Sequence, residues 1–297
     1  MKRYYVVYLF VLVIAVFLMR GGEVFAATVY PVIDSSSVRV GDTAVITLFL
    51  DTEGETINTV DGSFSLGANT QLLAVKDFSF AGSGFSYWVH HPSLSLESGI
   101  ISFVGGAPGG VSGSSVVLFK TIVLAKKTGT ISITPGAINA YLNDGKGTLI
   151  SVRTKTLSVT AEKQTGEPND SWARVLASDT RPPSDLRVEF GKSTELFEGR
   201  WFASIRAADS ESGIDRYEVM ENGRSVVLAT PLYELSNQSG NARLNVVVYD
   251  KAGNKSEITI SQDKGWPWWY VVVIVVVIVC ALYIIRRFIR RKKIIQW

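Results

Sequence analysis

Only two histidines occur in the 297 residues, and they are adjacent: His90 and His91, in the segment Phe85-Ser86-Tyr87-Trp88-Val89-His90-His91. Neighbours on a strand point to opposite faces, so the pair cannot readily share a metal ion. The segment does bring aromatic and polar chemistry together. Tyr87, Trp88 and His90 form a candidate ligand-contact set, because rings stack on sugar C–H faces and an imidazole hydrogen-bonds. The competing reading makes Trp88 and Phe85 core anchors and the histidines exposed loop residues.

A second set is acidic. Asp209, Glu211, Asp215 and Asp250 come from separate turns. Calcium takes six to eight oxygens, so converging turns would make these four acids candidate calcium ligands. The alternative is Asp acting as a turn former in a charged edge that discourages aggregation. No EF-hand loop of the D-x-[DN]-x-[DN]-G form occurs, and no other cofactor is expected. Gly105-Gly106-Ala107-Pro108-Gly109-Gly110 reads as a glycine-rich corner, without the Lys-Ser/Thr and following helix of a phosphate cradle. G-x-S-x-G, HExxH and GxGxxG are absent. These residues therefore point to binding and not to an enzyme.

The elements that must position them are mostly strands. Helical periodicity is nearly absent from residue 28 to residue 160; short alternating or β-branched runs are separated by Gly, Asn, Asp and Ser. Strands are expected at 28–33, 43–50, 57–66, 72–80, 85–90, 99–104, 115–124, 130–135 and 151–160, giving a jelly-roll β-sandwich over 27–160. Asn58 and Asp61-Gly62 mark a bulge or turn, and Asn143-Asp144-Gly145-Lys146-Gly147 a tight turn. Residues 161–182 change composition to Glu, Lys, Gln, Gly, Pro, Asn and Ser and read as a linker. Within it, Ser171–Ser178 is a candidate helical turn, or Trp172, Val175 and Leu176 cap a neighbouring domain. A second β-rich unit spans 183–262, with Glu221-Asn222-Gly223 as a hairpin turn.

Both ends address a membrane. Lys2 and Arg3 precede the apolar run Tyr4–Met19, and Val24-Phe25-Ala26 is a small-residue cleavage site, so residues 1–26 read as a signal peptide. An uncleaved N-terminal anchor is the alternative. Trp268–Ile285 carries no charge, Gly or Pro and is long enough to span a hydrocarbon core of roughly 30 Å. Rings crowd its front edge, and Arg286, Arg287, Arg290, Arg291, Lys292 and Lys293 follow it. The expectation is a single transmembrane helix over 266–285, a basic cytoplasmic tail at 286–297, and an extracellular portion upstream on the cell membrane. The formal charge of +3 is then misleading. Of 30 Lys and Arg, six lie in the tail, two in the N-terminal region and one is Arg20; of 27 acids, one is Glu23. The exported remainder is acidic, which argues against nucleic-acid binding. The lone cysteine, Cys280, lies in the apolar run, so the exported part has no disulfide.

Two ordered series carry a family resemblance. The opening VGDTAVITLFLDTEGETINTVDGSFSL and the middle GIISFVGGAPGGVSG…LFKTIVLAKKTGTISITPG resemble a cohesin domain, within the broad superfamily of cohesins and cellulose-binding sandwiches. That resemblance covers nearly half of the chain. It implies a β-sandwich that accepts a dockerin-type protein module on one sheet face, or polysaccharide as the related sandwiches do. IRAADSESGIDRYEVMENG and VVVYDKAGNKSEITI resemble bacterial immunoglobulin-like or fibronectin III-like modules. The function expected is a membrane-anchored extracellular binding protein; the alternative is a structural envelope or adhesin-type surface protein without a specific ligand.

Overall fold

The structure is a computed structural model that describes residues 27–35, 37–66, 71–262 and 268–294, with side chains of the last helix from Tyr270 to Arg286. The expected signal segment 1–26 and most side chains of the basic tail lie outside the described residues.

Two sheets make the first sandwich. One has the order β11–β1–β3–β8–β5, from β1 (Ala27–Ile33), β3 (Thr43–Asp51), β5 (Leu73–Ser79), β8 (Val116–Ala125) and β11 (Val152–Thr154). The other has the order β2–β12–β9–β4–β7–β6, from β2 (Val38–Arg39), β4 (Ile57–Ser65), β6 (Tyr87–Ser95), β7 (Ile100–Val111), β9 (Gly129–Leu142) and β12 (Leu157–Glu162), with β10 (Leu149–Ile150) on β9. Alternation explains why the sheets face each other. In β3, Ala44, Ile46, Leu48 and Leu50 are buried on one side, while Thr47, Phe49 and Asp51 point away half-exposed. Phe64, Phe85, Phe103 and Phe119 fill the space between the sheets with the aliphatic residues of β3, β7 and β9.

The glycine run is half strand and half bulge. Gly105 pairs with Val60 on one side and Trp88 on the other, but Ala107–Gly110 stand between the pairs Thr59–Gly106 and Ile57–Val111, where only Asn58 faces them, and Gly110 turns there at φ +70°. A Cβ at Gly105 would stand 2.9 Å from Cζ3 of Trp88, so glycine there makes room for the indole.

The second sandwich packs a three-stranded sheet, β13–β14–β17, on a four-stranded one, β16–β15–β18–β19. Its strands are β13 (Ser184–Lys192), β14 (Trp201–Ala208), β15 (Ile214–Glu221), β16 (Arg224–Leu228), β17 (Leu232–Glu234), β18 (Arg243–Asp250) and β19 (Lys255–Ser261). Val188, Ala203, Ile205, Val219, Leu244, Val246 and Val248 form its core. Asn222 and Gly223 turn β15 into β16 with φ of 52° and 78°, the two positive values that a two-residue type I′ hairpin needs.

The connecting segment differs from a free linker. α1 (Ser171–Ser178) forms because Asp170 caps it, accepting a 2.9 Å hydrogen bond from the Ala173 amide. Asp170 also accepts from Thr43 Oγ1 at 2.6 Å, and Asp42 accepts from the Asn169 amide at 2.7 Å. Trp172 then packs on Val45 and Ile122, which explains why Val45 is buried although it points out of the sandwich. Beyond α1, the loop between β14 and β15 seats on the first sandwich. Ser79 Oγ donates to the Ser212 carbonyl at 2.6 Å, the Gly82 amide donates to the Asp209 carbonyl at 3.0 Å, and Lys251 pairs with Asp77 at 2.7 Å. Gly213, at φ +88°, sits where a Cβ would stand 2.7 Å from the Ala81 nitrogen.

A one-turn α2 (Thr194–Phe197) joins β13 to β14. The chain ends in α3 (Trp268–Ile294). From Tyr270 to Ile285, its described large apolar side chains are all exposed. Among the described residues no helix is long and apolar enough to cross a membrane.

Candidate functional site

The outward face of β9–β4–β7–β6 carries two rows of residues fixed by register. Tyr141 pairs with Thr59, Thr59 with Gly106, and Gly106 with Tyr87. Two residues along, Asn139 pairs with Asp61, Asp61 with Val104, and Val104 with His90. Each row crosses four strands, about 14 Å at the usual strand spacing. All eight residues are half-buried or exposed, on a face opposite the Val60, Phe64, Ile101 and Phe103 core.

Asp61 is the polar centre of the face. Its Oδ2 accepts from Asn139 Nδ2 at 2.9 Å. Its carboxylate also lies against the Tyr141 phenol, and this contact, with the negative charge, raises the Tyr141 pKa. The surface offers a carboxylate, an amide, two phenols and an imidazole within one flat patch.

The residues expected to bind a ligand divide. Tyr87 and His90 lie on this face. They share it because a bulge between Trp88 and His90 adds one residue and restores the side-chain phase. Trp88 does not join them. It is 6 % exposed, with Phe80, Phe119, Phe85 and Phe103 around it at ring-centroid distances of 4.8, 5.8, 6.4 and 6.5 Å. It is a core anchor, and the reading of Trp88 as a surface ring is corrected. His91 turns the other way, edge-on to Phe80 at 5.4 Å. Burial, and then the neighbouring His90, lower its pKa. His91 lines a cleft of about 460 Å³ between the two sandwiches, with Asp77, Phe80, Arg206, Tyr217 and Lys251. Burial pushes the Tyr217 phenol up to about 12.

The four acids divide as well. Asp209 and Asp250 converge, while Asp215 pairs with Arg216 at 2.9 Å on the surface and Glu211 pairs with Arg181. Asp215 is therefore corrected out of any shared site. The third partner is Asp179, just after α1, which composition placed in a linker. One carboxylate oxygen from each of Asp179, Asp209 and Asp250 lies within 4.8 Å of the others.

No family model matches the chain, and no curated protein matches it. Among solved structures, it is similar to the Coh-OlpC cohesin of Clostridium thermocellum, solved in a type I cohesin–dockerin complex, at 18 % identity and a TM-score of 0.40 over 47 % of this chain and 96 % of that one. A non-cellulosomal cohesin from Archaeoglobus fulgidus gives 16 % identity and a TM-score of 0.39 over 46 % of this chain and 92 % of that one. The seventh ScaB type I cohesin of Pseudobacteroides cellulosolvens gives 19 % and 0.39 over 46 % and 94 %.

Proposed function

We propose that this chain is a membrane-anchored extracellular binding protein whose first, cohesin-like sandwich captures a dockerin-type protein module on the outward face of β9–β4–β7–β6. The observation that carries this reading is which face is free. The outward side of the other sheet is partly covered by α1, and the second sandwich seats beside it at Ser79 and Gly82. The β9–β4–β7–β6 face keeps Asp61, Asn139, Tyr87, His90 and Tyr141 open. Tyrosines with hydrogen-bonding neighbours are typical anchors of protein interfaces. Burial of Trp88 removes the largest ring from any sugar-stacking surface, which favours a protein module over polysaccharide.

The second sandwich is an immunoglobulin-like or fibronectin III-like spacer, consistent with its three-plus-four strand order. α3 is the anchor: its described large apolar side chains from Tyr270 to Ile285 are exposed, and Trp268 and Trp269 extend the uncharged run to eighteen residues before Arg286. Residues 1–26 direct export, so the sandwiches stand outside the cell and the basic tail inside. The reading is tested by presenting the full chain, in detergent, with a panel of purified dockerin modules and a glycan array. Retention of a dockerin supports it. Retention of glycans alone turns it to polysaccharide, and no retention leaves the structural surface-protein alternative.

A further inference from the structure

We propose that Asp179, Asp209 and Asp250, together with the Ser212 hydroxyl, bind one calcium ion at the junction of the two sandwiches. The three carboxylates come from three segments: the turn after α1, the β14–β15 loop and the end of β18. They are 4 %, 8 % and 1 % exposed. Among the described residues none of them makes an ion pair, although Asp209 also faces Lys120 of β8 beyond ion-pair distance. Buried carboxylates are normally paired or coordinate a metal.

Local hydrogen bonds account for only part of their capacity. Asp179 accepts from the Arg181 and Ser212 amides, Asp209 from the Glu211 and Gly213 amides, and Asp250 from the amide and side chain of Asn254. A carboxylate offers about four acceptor positions, so roughly half remain open at each group. A separate observation comes from Ser212. Its Oγ is fully buried and has no hydrogen-bond partner of normal geometry. It faces the Asp179 carboxyl; burial would raise that group's pKa, and the Ser212 hydroxyl, the Arg181 and Ser212 amides and the Glu211 side chain lower it instead.

The donor set suits calcium. Three carboxylate oxygens within 4.8 Å of one another fit one coordination shell at calcium–oxygen distances of about 2.3–2.6 Å. Calcium tolerates the irregular geometry of three loops, whereas magnesium demands a near-ideal octahedron and keeps its waters. The loop that supplies Asp209 and Ser212 is the one that seats on the first sandwich through Ser79, Ala81 and Gly82. A bound ion would tie this loop to the α1 segment and to β18, stiffening the arm between the two sandwiches.

The test is thermal unfolding of the full chain in detergent, in EDTA and in about 10 mM CaCl2, with calcium titrated by calorimetry. One calcium per chain with a Kd of about 0.1–1 mM, the range of extracellular modules, raises Tm by about 3–10 °C. Asp209→Asn and Asp250→Asn keep acceptors for the loop amides but remove charge, and each abolishes the shift. Ser212→Ala keeps all three carboxylates and weakens binding about tenfold. The proposal is overturned by a Tm that calcium leaves unchanged, by a shift that survives both Asn variants, or by an equal response to magnesium.

Discussion

Replacing Trp172 by Ala should release α1 from the first sandwich. The indole is 9 % exposed and sits on Val45 and Ile122, with Val175 and Leu176 half-buried beside it. A tryptophan buries about 150–250 Å², worth ~4–6 kcal/mol at roughly 25 cal/mol per Å². Residual burial in the released state lowers this to ~3–4 kcal/mol. The Thr43–Asp170 and Asp42–Asn169 contacts remain, so the loss is local opening and not unfolding of the sandwich. Arg174 is exposed within α1, which makes the Arg174–Val175 bond a reporter for trypsin once the helix opens. When opening is fast relative to cleavage, the rate follows the open population, and ~3–4 kcal/mol is a gain of about 10²–10³-fold. Val175→Ala, at a half-buried site, should gain about fivefold, in keeping with ~1 kcal/mol. Cleavage of Trp172→Ala at the wild-type rate would show that α1 is not held by this side chain, and the brace between the sandwiches would have to be abandoned.

Glu221, 2 % exposed, accepts from Tyr233 Oη at 2.9 Å and from the Ser236 and Asn237 amides at 2.8 Å each. Glu221→Ala orphans three donors and should destabilise the second sandwich by about 3 kcal/mol, read from urea midpoints; a loss below ~1 kcal/mol would refute the network's role. Stability should also fall with acid below about pH 6.5, because burial, followed by the charge of His90, holds His91 below that ordinary value in the fold. The unfolded chain then binds more protons, so this contribution is complete above pH 6.5 and is lost as pH falls toward the folded value. Urea midpoints at pH 7.5 and 5.5 should differ in the wild type and converge in His91→Phe; a midpoint that rises on acidification contradicts the sign.

Local chemistry was legible in the chain, and long-range register was not. Asn222-Gly223 announced its hairpin, and Asp144 announced its turn, where its carboxylate accepts from the Lys146 and Gly147 amides. The bulge expected at Asn58 appears as a register shift against both neighbours of β4, and the one at Gly62 as a shift against β9 alone. Gly105–Gly110 serves both purposes that glycine signals: Gly105 makes room for the facing indole, and Gly110, at φ +70°, turns the chain where the register with β4 breaks. The open face joins Asp61 to Asn139, 78 residues away, through a pairing that no local pattern encodes. Tyr87 and His90 share that face only through a bulge. Asp179 was hidden because its segment has linker composition, although a buried Trp172 a few residues earlier fastens it.

Docking of the partner on the β9–β4–β7–β6 face makes the side chains of that face the ones that matter. The most direct measurement is the affinity of a retained dockerin module for the full chain, compared among wild type, Asp61→Ala, Tyr87→Ala and Tyr30→Ala. Tyr30 lies on the opposite sheet, stacked on Phe49 at 5.5 Å. Asp61→Ala and Tyr87→Ala should each lose about tenfold or more, the scale of an interface anchor, and Tyr30→Ala less than about twofold. Loss at Tyr30 with full affinity at Asp61 and Tyr87 would place the partner on the other sheet and contradict docking on β9–β4–β7–β6.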